Sequence, residues 1–315
     1  MNVLFVICSI YSHQMIEVSP VVVTNGTYRF IVASSSLIGH VPLNSRKVNQ
    51  DRYWNEDLKT GEVGAVKYIG VADGHGMHGH DVAELVSKNL PMSVGIHADL
   101  IESPKAALST AHADISSMIK KSKIETSFSG TTSTSVLLLD NRLLCANVGD
   151  SRAILGYSDR GIDWRLKPLS RDHKPDDPVE KARIVAHGGR VMSYKGANGI
   201  SIGPARVWLK NQDSPGLAMS RSFGDAVAAT VGVTSEPEII EHTLGPTDKI
   251  VIVASDGVWE FVSNEEAMTI VSPHYRKMNP ELAVEQLCAR ARYRWQDEED
   301  VIDDITAVVL FRYLS

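Results

Sequence analysis

Two stretches of this sequence end an apolar run on an aspartate followed by glycine. Residues 66–72 lead into Asp73-Gly74-His75-Gly76, and residues 250–254 lead through Ser255 into Asp256-Gly257. Each places a carboxylate at the mouth of a buried strand, in backbone that glycine makes pliant. Asp51, Asp150 and Asp303-Asp304 stand at further strand–loop junctions. If such charges converge, each pair at ~4 Å and an effective dielectric of about 20 costs about 4 kcal/mol. A divalent cation removes that penalty. An all-oxygen ligand set with scarce Cys and few suitably spaced His suits Mg²⁺ or Mn²⁺ better than zinc. Two such ions can activate a bridging water and clamp a phosphoryl oxygen. For any single Asp the competing reading is a turn residue whose side chain bonds its own backbone. The paired Asp-Gly strand ends are harder to explain that way.

The same glycines admit another chemistry. Gly74-His75-Gly76-Met77-His78-Gly79 fits the dinucleotide-binding spacing G-x-G-x-x-G, with Asp99 about the right distance beyond. Against it, Asp73 would face a pyrophosphate with nothing to neutralise it. Pro91 and Gly95 also interrupt the segment that should be a second strand leading into Asp99. His75, His78 and His80 lack the cysteines or helical spacing of closed zinc sites. His78 and His80 read as solvated loop residues. His75, held between glycines beside Asp73, can protonate a departing alkoxide.

The elements that must position these groups are partly readable. Residues 28–33 alternate as a strand and dissolve into Ser34-Ser35-Ser36; residues 66–72 form the first buried strand. Val82, Leu85, Val86 and Leu90 recur at helical spacing until Pro91 closes that helix. A second helix starts at Ser103-Pro104 and runs through Ile115. Short strands follow at 131–139, 142–147, 153–157 and 164–169, the first two joined by a tight Asp140-Asn141 turn. A helix over 178–187 ends at Gly188-Gly189. Residues 192–215 have no clear period and read as a long surface excursion. Helices are expected over 264–271 and 280–292, and a terminal strand over 305–313. Strands and helices are grouped rather than alternating, which favours an α+β layered fold over a doubly wound one. There is no repeat and no interdomain linker, so 25–315 is read as one domain.

Bulk properties exclude some functions. The 315 residues are 43% hydrophobic and 22% charged, an ordinary globular composition. A net charge of −6 argues against general nucleic-acid binding, which needs a basic face. Three cysteines without metal-ligand spacing make no disulfide framework, so a reducing compartment, cytoplasmic or nuclear, is expected. Residues 1–10 resemble the core of a short signal peptide but lack a preceding Lys or Arg, and polar residues 11–14 stop the run short of a membrane span. Residues 1–24 are therefore read as an N-terminal extension or peripheral strand, with secretion the weaker reading and no membrane span expected.

The chain resembles the metal-dependent Ser/Thr protein phosphatases of the 2C type from about residue 28 to 313. The resemblance rests on Arg46, Asn49-Gln50-Asp51, Val71-Ala72-Asp73-Gly74-His75-Gly76 with Gly79, and Ser129-Gly130-Thr131-Thr132. It continues through Asn147-Val148-Gly149-Asp150-Ser151-Arg152-Ala153, Asp172-His173-Lys174-Pro175 and Gly188-Gly189-Arg190-Val191. The last blocks are residues 216–225, ending Ser222-Phe223-Gly224-Asp225, then Ala254-Ser255-Asp256-Gly257-Val258-Trp259-Glu260 and Asp303-Asp304-Ile305-Thr306. Each block is weak alone; this many in order are specific.

The resemblance implies two antiparallel β-sheets in a central sandwich with α-helices outside, and a dinuclear cleft at one end. It implies Asp51, Asp73, Asp256, Asp303 and the Gly74 carbonyl as ligands of two Mg²⁺ or Mn²⁺ ions, with Asp150 helping to hold a third, weaker one. Arg46 would hold the substrate phosphate, His75 would be the general acid, and water on the metals would be the nucleophile. Phosphoserine and phosphothreonine proteins would be the substrates, a monomer the working form, and 192–215 the flap beside the site.

Three positions depart from the family pattern. Gln50 replaces a common Glu, Glu260 replaces an Asp that serves the third metal, and Asp304 replaces a common Asn and reads as a solvated member of the acidic run. Two other functions compete with catalysis on phosphoproteins. A pseudophosphatase binding module would have no need of the charge cluster, and a metal phosphoesterase on small molecules can use the same fold.

Overall fold

Residues Tyr28–Leu37 and Ile305–Leu314 pair antiparallel along their whole length, joining the two ends of the chain within one sheet. The computed structural model describes residues 15–18, 22–24, 28–60, 63–196 and 199–314. In chain order its first strands are β1 (Met15–Val18), β2 (Val22–Thr24), β3 (Tyr28–Leu37), β4 (Arg52–Thr60), β5 (Val63–Ala72) and β6 (Gly74–His75). Helices α1 (Gly79–Gly95) and α2 (Pro104–Lys121) follow. Next come β7 (Gly130–Thr131), β8 (Ser133–Leu139), β9 (Arg142–Val148), β10 (Arg152–Tyr157), β11 (Arg165–Pro168) and α3 (Pro178–Ala186). The middle of the chain continues with β12 (Arg190–Lys195), β13 (Ser201–Trp208), β14 (Pro215–Leu217), β15 (Phe223–Gly224) and α4 (Ala226–Ala229). The last elements are β16 (Glu238–Thr243), β17 (Asp248–Ala254), α5 (Asp256–Trp259), α6 (Asn264–Tyr275), α7 (Pro280–Glu298) and β18 (Ile305–Leu314).

Two antiparallel sheets make the sandwich expected above. One has the order β1-β3-β18-β17-β10-β11 with β2 also on β3; the other has the order β16-β9-β8-β5-β4. Val32, Ile69, Val71, Val136, Val253 and Val308 fill the space between them. On the outer face of the second sheet, Tyr68, Leu137 and Leu144 pack against Val82, Val86 and Leu108 of α1 and α2. On the outer face of the first, Ile252, Val309 and Phe311 meet Val271, Val284 and Leu287 of α6 and α7. Central strands are thus buried on both faces, which is why 66–72 and 250–254 read as nearly unbroken apolar runs.

Three local readings change. The first helix does not close at Pro91 but runs on to Gly95, with Pro91 and Val94 buried; packing of its last turn outweighs the backbone hydrogen bond that proline cannot donate. Likewise α6 continues through Pro273 to Tyr275. The aperiodic excursion is an ordered three-stranded sheet, β12-β13-β14. Its strands stand outside the core and are largely exposed toward the β12–β13 tip, so no inside–outside alternation was available to read. The Asp140-Asn141 hairpin turn is present, with Asp140 at φ 53°. Cys145 and Cys288 are buried free thiols. No described helix is long and apolar enough to cross a membrane. Residues 1–14, and with them most of the expected N-terminal extension, lie outside the described residues.

Candidate active site

Strand register gathers the aspartates. In the second sheet Arg52 of β4 is the partner of Ala72 of β5, so Asp51 and Asp73 extend side by side past the sheet's end. In the first sheet Ala254 of β17 is the partner of Ala307 of β18, which puts Asp256 and Asp303 beyond the same end of the sandwich. A bond across the two sheets joins the pairs: the Ser255 hydroxyl donates to Asp51 Oδ2 at 2.9 Å. Asp73 is anchored by its main chain, its amide donating to Thr132 Oγ1 at 3.0 Å and its carbonyl accepting from the Thr132 amide at 2.9 Å.

The electrostatics show how crowded the four are. Burial, then the Asp304 and Asp303 charges, push the Asp51 carboxyl up to about 7. Asp73 is raised well above the carboxylate range by burial and then by Asp51, Asp256 and Asp303; Asp256 is raised by burial and then by Asp150 and Asp303. Burial raises Asp303 as well. Among the described residues, the salt bridges made here, Lys47–Asp304 at 2.6 Å and Lys174–Asp150 at 2.5 Å, neutralise none of the four.

No group of three or more His, Cys, Asp and Glu side chains among the described residues is set as a finished metal cage. The donor set nonetheless fits a hard cation. Buried Oδ1 atoms of Asp51, Asp256 and Asp150 have no hydrogen-bond partner, and such atoms are costly to leave unpaired. Oxygen-only donors with excess negative charge are what Mg²⁺ and Mn²⁺ select. Gly74 brings its backbone close to the cluster because it has no side chain: a Cβ there would lie 2.5 Å from the Gly79 carbonyl oxygen and 2.7 Å from that of Gln50.

His75 stands beside Gly74 on β6 with Nε2 at 2.7 Å from Asp225 Oδ2. Burial alone would lower its pKa, but the Asp225 carboxylate outweighs burial and raises it. Ser222 donates to the same Asp225 oxygen at 2.6 Å, and Asp225 sits at a left-handed φ of 45°. Sequence reasoning gave Asp225 no role; a Gly-Asp pair read from sequence does not disclose a strained backbone. Asp150 is buried and bound to Lys174, a second residue to which no role had been given. Glu260 is exposed at the end of α5.

Asp304 is not the solvated residue expected from the acidic run. It is buried and accepts from the Gly39 amide at 2.7 Å, Lys47 Nζ at 2.6 Å and the Gln50 amide at 2.8 Å. It therefore pins the 38–51 loop that carries Arg46. Arg46 itself is exposed on that loop, its amide bonded to Asn44 Oδ1 at 3.0 Å. Gln50 uses its side chain as a brace, donating to the Gly76 carbonyl at 2.7 Å. His78 and His80 lie against Asp81 at the start of α1. Asp99 follows α1 in a turn rather than a strand, so the dinucleotide pattern lacks its second strand.

Comparison with known proteins gives a consistent result. The family model for protein phosphatase 2C matches residues 45–299. A probable protein phosphatase 2C of Arabidopsis thaliana is 32% identical over 286 residues, covering 86% of this chain and 81% of that protein. One of Oryza sativa is 37% identical over 274 residues, covering 84% of this chain and 62% of the rice protein. The fold is shared with a serine-threonine phosphatase 2C from Toxoplasma gondii, at a TM-score of 0.77 and 20% identity, over 96% of this chain and 99% of that one.

Proposed function

The chain belongs to the protein phosphatase 2C family, and from that premise we propose that it hydrolyses phosphoserine and phosphothreonine esters of proteins with the help of Mg²⁺ or Mn²⁺. The observation that carries this reading is the set of buried aspartate oxygens without partners at the end of the sandwich. Asp51, Asp73, Asp256, Asp303 and the Gly74 carbonyl would hold two ions, and Asp150 with Asp256 a weaker third. When bound, the ions offset phosphate charge and lower the pKa of a water at the site.

The chain's own groups divide the remaining work. Arg46 orients the phosphate, its planar fork matching two phosphoryl oxygens. His75, whose pKa the Asp225 carboxylate raises, gives a proton to the departing serine or threonine oxygen as its bond to phosphorus breaks. Ser255 and Thr132 hold Asp51 and Asp73 in place. The nucleophile is water, so no Ser or Cys is needed in that role.

The test is phosphate release from a phosphothreonine peptide with Mn²⁺, with EDTA and Asp73→Ala as controls. Activity that survives either control removes the metal from the mechanism. Metal binding without turnover identifies a binding module instead, and preference for a small phosphate ester over phosphopeptides identifies a small-molecule enzyme.

A further inference from the structure

One buried carboxylate is bonded to the sequence neighbours of residues assigned to the site. Asp304, 3% exposed, follows Asp303; it accepts from Lys47, which follows Arg46, and from Gln50, which precedes Asp51. The Gly39 amide also donates to it, so this side chain holds the 38–51 loop at its entry and at its exit. Oδ1 serves Gly39 and Lys47, and Oδ2 serves Gln50.

The loop depends on that hold. Residues 42–46 are exposed, so core packing does not set where Arg46 stands. Bonds within the apex are local: the Asn44 amide donates to the Val41 carbonyl at 3.0 Å and the Arg46 amide to Asn44 Oδ1 at 3.0 Å. Placement must come from the stems. At the entry, His40 and Ile302 exchange amide–carbonyl bonds of 2.7 and 2.8 Å, and a Cβ on Gly39 would lie 2.2 Å from the Ile302 carbonyl oxygen. At the exit, Asn49 donates to Ser36 Oγ at 2.8 Å and accepts from the Asp51 amide at 2.9 Å. Asp304 ties entry and exit to each other. An asparagine there would set its NH₂ against the Gln50 amide, donor facing donor. A carboxylate satisfies all of these donors but adds charge beside Asp51 and Asp303. Lys47 offsets that charge and makes the bond charge-assisted.

We propose that Asp304, paired with Lys47, is a positioning residue that sets Arg46 in register with the carboxylate cluster, so that one phosphate meets both. The inference rests on the phosphatase reading and adds the group that places its phosphate-orienting arginine. Asp304 acts through the loop rather than on the substrate. A guanidinium on an untied loop would have to be ordered when phosphate arrives, at about 0.5–1.5 kcal/mol for the side chain alone. The tie makes that ordering part of folding, which is how a positioned group lowers a barrier without touching the reacting atoms.

The experiment uses the full chain with Mn²⁺, p-nitrophenyl phosphate as substrate and inorganic phosphate as competing ligand. Asp304→Asn should raise KM and the phosphate inhibition constant by about tenfold, with a smaller change in kcat, as loss of a charge-assisted bond implies. In an Arg46→Ala background the same substitution should change both by less than about twofold, because the tie then has no guanidinium to place. Lys47→Met, which keeps the two main-chain bonds to Asp304, should give the same pattern at about threefold. Loop opening is read without turnover: trypsin should cut after Arg46 about tenfold faster in Asp304→Asn than in the natural chain, in EDTA as in Mn²⁺. Phosphate affinity unchanged in either variant, or an equal loss with and without Arg46, overturns the proposal; so does an unchanged cleavage rate. Should the natural chain not turn over p-nitrophenyl phosphate, the catalytic reading fails. Calorimetric titration of inorganic phosphate into the Mn²⁺-loaded chain then decides the positioning separately, weaker binding by Asp304→Asn supporting it and equal binding overturning it.

Discussion

Burial and neighbouring carboxylates push both Asp73 and Asp256 well above the usual carboxylate range, so the cluster needs protons or a cation to offset its charge. On the proposed metal site, the protein without metal therefore carries repulsion that the loaded protein would not. Asp73→Asn should raise the melting temperature in EDTA, because an amide can donate to Asp256 and brings no charge. The same variant should lose most of the stabilisation that Mn²⁺ gives the natural chain, about 3 kcal/mol at a hundredfold excess over Kd. Thermal unfolding with and without Mn²⁺ reads both effects. For His75→Ala, turnover of a phosphothreonine peptide should fall by at least about tenfold more than turnover of p-nitrophenyl phosphate, whose leaving group needs little protonation. Asp225→Asn should shift the same ratio in the same direction. Equal losses on both substrates would take His75 out of the acid role. The aspartates were legible because each ends an apolar run or stands at a block boundary. Asp225 and Asp304 were not, since their importance lies in partners far along the chain, His75 and the Gly39, Lys47 and Gln50 donors.

Elements are legible where burial imposes a period, and fade where it does not. The β5 and β17 runs, the α2 start at Pro104 and the β8–β9 turn all follow from local patterns. The β12–β13–β14 sheet does not, because it packs Val191, Val207 and Leu217 on a small separate cluster with Ile184 and Val231 rather than on the main core, and the loop after it is tied down by charge. Glu180 on α3, fully buried, takes Arg221 at 2.7 Å, Arg183 at 2.8 Å and the Ser220 hydroxyl at 2.6 Å. Burial would raise its pKa, but Arg221 and the other donors hold it well below the usual carboxylate range. Its contribution is therefore present above the unfolded value of 4.5 and is lost as pH falls below it. Glu180→Ala removes the carboxylate that Arg221 and Arg183 share, leaving them backbone carbonyls alone, and should cost about 3 kcal/mol, measured by urea unfolding. A second element-level test is Gly74→Ala. The new methyl meets Gly79 backbone rather than a flexible side chain, so destabilisation on the order of 2 kcal/mol is expected, with loss of Mn²⁺ binding in the same titration.

On the scale of the whole molecule, acid stability has a named source outside the cleft. His112 of α2 is fully buried, stacked on Phe223 and bonded through Nδ1 to the Leu108 carbonyl at 2.7 Å. Burial lowers its pKa from 6.5 to about 4. The unfolded chain binds a proton below about 6.5 that the native state refuses until about 4, so stability is lost as pH falls through that window. The loss should reach on the order of 3 kcal/mol, and His112→Leu should flatten it in a series of urea melts from pH 7 to about 4. The sandwich itself was anticipated from family resemblance more than from periodicity, because strand order depends on pairings that no local pattern encodes. The most distant of these pairings, β3 with β18, also sets a timetable. β18 is an interior strand of its sheet and carries Asp303 at its entrance, yet it is made last among the described elements. At roughly 5–20 residues per second, a ribosome has translated Asp51 and Asp73 well before their partners exist. On the proposed site, the carboxylate cluster is thus incomplete until the strand that Asp303 leads into has been made.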